Sequence, residues 1–165
     1  MVNEVTGEAQ VSSTLHHGSD IAGQSNPYVP LIVIPTLNEE RHIGACLTTL
    51  LRQVGTGLIV VADATSTDKT REIVRAIAHR HPNVILMDNP DRIQSAGVNL
   101  AVETYATKDH SILIRCDAHA IYPDDFIPQI LNDFQTQNIA SVVVPMDATG
   151  HTKFATAAAW IVDTV

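Results

Sequence analysis

A chain of 165 residues, 45% apolar and 17% charged, is long enough for one ordinary domain with a real core and is not composed like a disordered protein. A net charge of −8 argues against a nucleic-acid partner, and an anionic nucleotide could be held only by a local device such as a metal ion or a helix N-terminus. Cys46 and Cys116 are too few for a disulfide framework, no apolar run reaches the length of a membrane span, and the polar, acidic start does not read as a secretory signal.

Residues 1–27 are rich in Ser, Gly, Asn, Gln and Glu without apolar periodicity and read as a mobile, disordered tail. From there short apolar runs at 31–34, 58–62, 84–87, 112–115 and 141–144 alternate with helical patterns near 38–53, 68–80, 91–106 and 124–136. Runs that are apolar throughout, rather than alternating, fit a parallel sheet covered on both faces. The expected fold is therefore α/β, a doubly wound and mostly parallel sheet flanked by helices, with ligands outside the carboxyl ends of its strands. The spacing of Phe154, Ala157, Ala158, Ile161 and Val165 predicts a final amphipathic helix whose apolar face needs a cover, so 154–165 is a candidate surface for self-association or a partner chain.

Each strand end carries polar residues. After the first comes Pro35-Thr36-Leu37-Asn38-Glu39-Glu40, where Thr36 with Glu39 fits a capping box and Asn38 is a second cap, a reading that competes evenly with a ligand role. No G-x-G-x-x-G and no P-loop is present, which disfavours nicotinamide dinucleotide binding and P-loop hydrolysis. The second strand ends in Asp63, able to accept from a base N–H or a ribose hydroxyl, and Ser66 and Asp68 read as caps of the next helix. At the third, Asn89 reads as a cap with Pro90 first in the helix, and Arg92 could grip a phosphate bidentately or pair with Asp88 or Asp91.

The fourth strand leads into Asp117-Ala118-His119. In extended backbone residues i and i+2 project to one side, so this carboxylate and imidazole could converge on one ion, although a solvated loop explains the pair as simply. Cys116 beside them is a conceivable nucleophile or third ligand, and a buried thiol is the plainer reading. Tyr122-Pro123-Asp124-Asp125 reads as a helix start with Pro123 in the first position.

Taken together, these blocks resemble family 2 glycosyltransferases of the GT-A fold, most nearly the succinoglycan-biosynthesis type of bacterial polysaccharide glycosyltransferase. The blocks are Ile34-Pro35-Thr36-Leu37-Asn38-Glu39-Glu40, Val61-Ala62-Asp63, Ser66-Thr67-Asp68-Lys69-Thr70, Asn89-Pro90-Asp91-Arg92-Ile93-Gln94, Arg115 through Pro123, and Val144-Pro145-Met146, in family order across 29–154. The resemblance implies that 28–165 form the nucleotide-sugar-binding half of a GT-A (Rossmann-like) domain, incomplete at its C-terminus. It implies binding of a UDP- or GDP-sugar and transfer of the sugar, with inversion and metal dependence, to a glycan or lipid-linked acceptor in polysaccharide biosynthesis. Pro35, Thr36 and Glu39 would cradle the nucleoside, Asp63 would contact the base, and Arg92 would serve the diphosphate. Asp117 would reach ribose or the metal, and His119 would stand where the family's D-x-D motif has its metal-ligating acid. An imidazole ligand favours Mn²⁺ over Mg²⁺.

Departures from the family are Ala64 in place of a second acid and Val98 in place of an Arg before Asn99. The family's acceptor subsite and catalytic base fall beyond Phe154, with the base expected past Val165, and Asp163 matches no base motif. A truncated, non-catalytic donor-binding fragment is accordingly the alternative expectation; a sugar nucleotidyltransferase is weaker, for want of its Gly-rich, Arg-containing first loop. The expected location is cytoplasmic, free or peripheral to a membrane.

Overall fold

The structure, a computed structural model, describes residues 27–137 and 139–143. Along them strands and helices alternate: β1 Pro30–Thr36, α1 Ile43–Leu51, β2 Leu58–Asp63, α2 Thr70–Ala78, β3 Val84–Asp88, α3 Gln94–Tyr105, β4 Ile112–Arg115 and α4 Phe126–Gln137. The strands form one sheet in the order β3-β2-β1-β4, every pair parallel. The strand order reverses at β1, so the crevice outside the carboxyl ends of β1 and β4 is the natural ligand position.

Period-two alternation divides the strand residues between two cores. Ile32, Ile34, Ile59, Val61, Ile112 and Ile114 face α1, α2 and α4, where they meet Leu47, Leu50, Val74, Ile127 and Ile130. Leu31, Val33, Val60, Ala62 and Met87 face the opposite way onto α3, against Ala101 and Val98. Each such side chain, taken fully out of water, contributes roughly 1.5–3 kcal/mol. β4 is the exception to strands apolar on both faces: its burial alternates and Leu113 is 48% exposed, as befits an edge strand with one face uncovered among the described residues.

The helices begin later than the cap signals suggest. α1 opens at Ile43 with His42 before it and no side-chain cap, so neither the Thr36–Glu39 box nor Asn38 caps it. α3 opens at Gln94, not after Asn89-Pro90, and α4 opens at Phe126 with no acid in its first turn, Pro123 having closed a preceding turn by accepting from the Phe126 N–H. The expected strand at 141–144 is not formed in its described part: residues 141–143 join no strand among the described residues, and Val143 is 90% exposed. Val144, the tail at 1–26 and the helical pattern at 154–165 lie outside the described residues.

The register Leu31↔Leu58 starts where Gly57 lies against the first residue of β1. A Cβ on Gly57 would stand 2.5 Å from the Pro30 carbonyl oxygen and 2.8 Å from Val54 Cγ2. Gly57→Ala should therefore destabilise the domain by roughly 1–3 kcal/mol, the usual cost of overpacking, read as a lower urea midpoint with an unchanged slope.

Candidate functional site

The floor of the site is built around a carboxylate. Asp63, last in β2, has no exposed surface. It accepts from Arg71 Nη1 at 2.6 Å, from the Ser66 N–H at 3.0 Å and, at the longer distance of 3.5 Å, from the Thr36 hydroxyl. Arg71 reaches on to Asp88 at 2.6 Å, and these two acids, first and foremost through their hydrogen bonds, raise its pKa. One guanidinium from α2 thus ties the adjacent ends of β2 and β3, whose Asp63 and Asp88 are register partners.

Above this floor the β1–α1 and β2–α2 loops clasp one another. The Asn38, Glu39 and Glu40 N–H groups donate in turn to Ser66 Oγ at 2.8 Å, Thr70 Oγ1 at 2.7 Å and Asp68 Oδ2 at 3.0 Å. In return Thr67 N–H donates to Asn38 Oδ1 at 2.8 Å and Lys69 N–H to Glu40 Oε2 at 3.0 Å. Asn38 and Ser66, read from the sequence as caps, are therefore spent between loops, whereas Asp68 also serves its own helix, accepting from Thr70 N–H at 2.9 Å. Asn89 bonds locally, its Nδ2 donating to the Ile93 carbonyl at 3.0 Å before α3. Desolvation works to raise the Asp68 carboxyl, but its hydrogen bonds from Thr70 and the Glu40 N–H outweigh that and hold it below the usual carboxylate range. This contribution is present above the unfolded-state pKa and is lost as pH falls through the lower folded value.

The clasp is bought with strained backbone. Asn38, Thr65 and Arg92 have φ of 57°, 61° and 58°. Asn tolerates this region, but a β-branched Thr does so at a cost of about 1–2 kcal/mol. All three flank the same strand-end crevice, where such strain tends to gather.

Asp117 and His119 are not the extended pair the alternation argument required. β4 ends at Arg115, and the Ala120 N–H donates to the Asp117 carbonyl at 3.2 Å, so 117–120 is a tight turn. Tyr122 fixes that turn: the Asp117 N–H donates to its hydroxyl oxygen at 2.6 Å, and the hydroxyl donates back to the Asp117 carbonyl at 3.0 Å. Burial, then the neighbouring Cys116, raises the phenol pKa, so it remains a donor. Arg115 Nη2 donates to Asp117 Oδ1 at 2.7 Å and to Gln94 Oε1 at 3.0 Å. His119 instead turns to the β1–α1 loop: its Nδ1 lies 3.2 Å from Glu39 Oε1, while His42 Nδ1 lies 3.0 Å from Glu39 Oε2.

These groups line one cavity of about 250 Å³ at the carboxyl edge of β1 and β4, walled by Pro35, Thr36, Leu37, Glu39, Ala64, Asn89, Arg92, Gln94, Asp117, Ala118 and His119. Six of the seven residues singled out from the sequence meet there: Pro35, Thr36, Glu39, Arg92, Asp117 and His119. Asp63 does not; it lies beneath the wall with its carboxylate engaged, and its structural work is to hold Arg71 and Thr36. Arg92 makes no ion pair among the described residues, Asp88 being taken by Arg71. A second, more open cleft of about 520 Å³ adjoins at Gln94, with Ile93, Ser95, Val98, Asn99 and Arg115, so the two positions that depart from the family pattern fall in different places: Ala64 in the first cavity, Val98 in the second.

Among the described residues no three His, Cys, Asp or Glu side chains surround a common point for an ion. Asp117 Oδ2 and His119 Nε2 nonetheless carry no protein hydrogen bond among the described residues, and each side chain is braced through its other atom. An oxygen and an imidazole nitrogen are donors of the kinds that would hold a divalent ion. Cys116 is no third ligand or nucleophile: burial foremost, then Cys46, pushes its thiol up to about 12, and burial does the same to Cys46.

The sequence reading missed Arg71, Tyr122 and His42. His42 had a signal, since it stands three residues after Glu39 on the approach to α1. Arg71 reaches from α2 to two strand ends and Tyr122 back across its own turn, and no local spacing announces either contact.

A sequence model of the family described as Glycosyl transferase family 2 matches residues 31–161. The chain is 48% identical over 134 residues to the succinoglycan biosynthesis protein ExoA of Rhizobium meliloti, a match covering 79% of this chain and 40% of that protein. It therefore spans about two fifths of the length of that relative. Among solved structures it is similar to the mannosyltransferase PcManGT of Pyrobaculum calidifontis in complex with GDP-Man and Mn²⁺, with a TM-score of 0.57 and 24% identity over 74% of this chain and 36% of that one. It is similar also to glucosyl-3-phosphoglycerate synthase of Mycobacterium tuberculosis in complex with Mn²⁺, UDP and glucosyl-3-phosphoglycerate, with a TM-score of 0.52 and 18% identity over 66% and 40% of the two chains. These likenesses establish the GT-A fold.

The bridge at the floor separates a buried partner from an exposed one. Arg71→Met leaves the Asp63 carboxylate, 0% exposed, without its counter-charge and should destabilise the domain by about 3 kcal/mol or more. Asp88→Asn, at a side chain 73% exposed, should cost less than about 1 kcal/mol. Urea unfolding of both variants reads the contrast; equal losses would show that Asp63 is not the group that needs Arg71.

Proposed function

The chain belongs to glycosyl transferase family 2, and from that premise we propose that its cavity binds the diphosphate of a nucleotide sugar, UDP- or GDP-linked, as the donor half of an inverting, metal-dependent glycosyl transfer. The observation that carries this reading is the meeting of Pro35, Thr36, Glu39, Arg92, Asp117 and His119 in one cavity at the strand-order switch. In a chain of net charge −8, a diphosphate needs local cations. Arg92 supplies one, its guanidinium without an ion pair among the described residues and suited to bidentate phosphate contact. Asp117 and His119 hold a divalent ion, Mn²⁺ in preference to Mg²⁺ because one donor is an imidazole. When bound, that ion offsets the charge that develops on the departing diphosphate.

The protein's own part is to hold these groups still. Tyr122 fixes the Asp117 backbone, Arg115 fixes its carboxylate, and the loop clasp fixes the β1 wall against which the nucleoside lies. No base for the acceptor hydroxyl is assigned within the cavity, since both Glu39 oxygens and one of Asp117 are engaged. The acceptor is proposed to be a glycan or lipid-linked sugar in polysaccharide biosynthesis, and the setting the cytoplasm or its membrane surface. No helix among the described residues is long and apolar enough to cross a membrane.

Calorimetric titration of GDP and UDP in Mn²⁺, in Mg²⁺ and in chelator tests the reading. Mn²⁺ should strengthen binding of one diphosphate, and His119→Ala should remove more than about tenfold of that gain, a lost ligand counting for at least what a lost ligand support does. Arg92→Ala should weaken binding by about 10–100-fold in metal and in chelator alike, the worth of a charged hydrogen bond. Equal binding with either ion or none would overturn the metal site. Binding without sugar transfer by this chain would leave it a donor-binding unit.

A further inference from the structure

Glu39 lines the cavity, and the family reading gives it the nucleoside. Its contacts say something more specific. Both carboxylate oxygens are occupied by imidazole nitrogens, Oε1 by His119 Nδ1 at 3.2 Å and Oε2 by His42 Nδ1 at 3.0 Å. The two rings stand edge to face with centroids 6.4 Å apart. A lone surface His–Glu pair would mean little, but Glu39 is not a lone surface side chain. Its side chain is only 20% exposed, its N–H is held by Thr70 Oγ1 at 2.7 Å, and its carbonyl accepts from both His42 and Ile43 N–H groups at the approach to α1. The clasp between loops therefore fixes the backbone of Glu39, from which its carboxylate reaches both rings.

His119 has the opposite character. Its side chain is 61% exposed, it sits in a turn, and Glu39, eighty residues distant in sequence, is the group that holds its ring. A carboxylate accepts and cannot donate, so the nitrogen facing Glu39 carries the proton, and in the neutral ring the lone pair is then on Nε2. Imidazoles that ligate metals are commonly held in this way, with a carboxylate on the far nitrogen fixing tautomer and ring direction. His42 occupies the other oxygen and keeps Glu39 from swinging toward the anionic ligand or Asp117.

We propose that Glu39 is a positioning residue: through Nδ1 it fixes the His119 imidazole in the tautomer whose Nε2 is left to ligate the divalent ion. The proposal rests on the donor-site reading of His119 and assigns Glu39 a task other than contact with the nucleoside. It also names what a D-x-H arrangement needs that two acids do not, a second side chain to choose which ring nitrogen is the ligand.

Two readouts test it on the full chain. Without metal, ¹⁵N-labelled protein above the imidazole titration range should show His119 protonated on Nδ1 in long-range ¹H–¹⁵N correlation spectra. Glu39→Ala should lose that preference, and Glu39→Gln, whose amide oxygen still accepts, should recover it. In the presence of GDP or UDP, Mn²⁺ affinity followed by the electron paramagnetic resonance of free Mn²⁺ should fall about 10–100-fold in Glu39→Ala. A wild-type His119 protonated on Nε2 overturns the proposal without recourse to any variant. Affinity lost in His119→Ala but kept in Glu39→Ala overturns the role of Glu39 and leaves the donor site standing. Affinity unchanged in His119→Ala overturns the metal site and this proposal together.

Discussion

A fully buried carboxylate at the end of β2 is the constraint around which the strand ends are arranged. Asp63 cannot be left without donors, since an unpaired charge in a dry interior costs several kcal/mol. Three elements supply them: Thr36 from the last position of β1, the Ser66 N–H from the following loop, and Arg71 from α2. Satisfying Asp63 therefore fixes where β1 ends, how the β2–α2 loop turns, and where α2 lies. Arg71 carries the order one strand further, to Asp88 on β3. Backbone bonds follow the same path, Ala64 N–H to the Thr36 carbonyl and Asn89 N–H to the Asp63 carbonyl, both at 2.8 Å. The cavity wall rests on this floor, for Thr36, Ala64 and Asn89 all belong to it.

The same economy governs charge. The chain is acidic, and most of the cations near the cavity are already committed: Arg71 to two acids, Arg115 to Asp117. Of Arg71, Arg115 and Arg92, only Arg92 makes no ion pair among the described residues, and its left-handed backbone conformation sets it on the cavity rim. The paired arginines organise the site, and Arg92 is the one that, in the proposed function, would meet an anion. Such a division works because a guanidinium that already bridges two carboxylates has few donors left to give.

Much of the fold was legible because hydrophobic periodicity is a local signal. The four strands and four helices fall where apolar runs and helical spacing put them, and the two cores follow from alternation along β1 and β2. The cap residues misled. Asn38 and Ser66 have the chemistry of helix starts but are used to join two loops, and nothing in a single loop's sequence says that its partner is another loop. The Asp117–His119 pair was found as residues and misread as geometry. A β-branched run before it suggested extended backbone, while Tyr122, five residues on, closes a turn. Asp63 was found as a strand-end acid, but its burial depends on α2 packing over it, which the strand alone does not encode.

The turn has a consequence for the ligand set. In extended backbone the carboxylate and the imidazole would be oriented by the strand itself, and neither would need help. In a turn the backbone no longer aims them, so each requires a brace from elsewhere: Arg115 and Tyr122 for Asp117, Glu39 for His119. An acid at position 119 would tolerate loose orientation, because either of its oxygens can bind an ion. An imidazole has one usable nitrogen at a time and does not. It also adds no negative charge beside an incoming diphosphate in a chain that is already strongly acidic. In the proposed donor site, a histidine in place of an acid at this edge would exchange electrostatic pull on the ion for lower repulsion of the anion, and would transfer the burden of precision to Glu39 and to the loop clasp that holds its backbone.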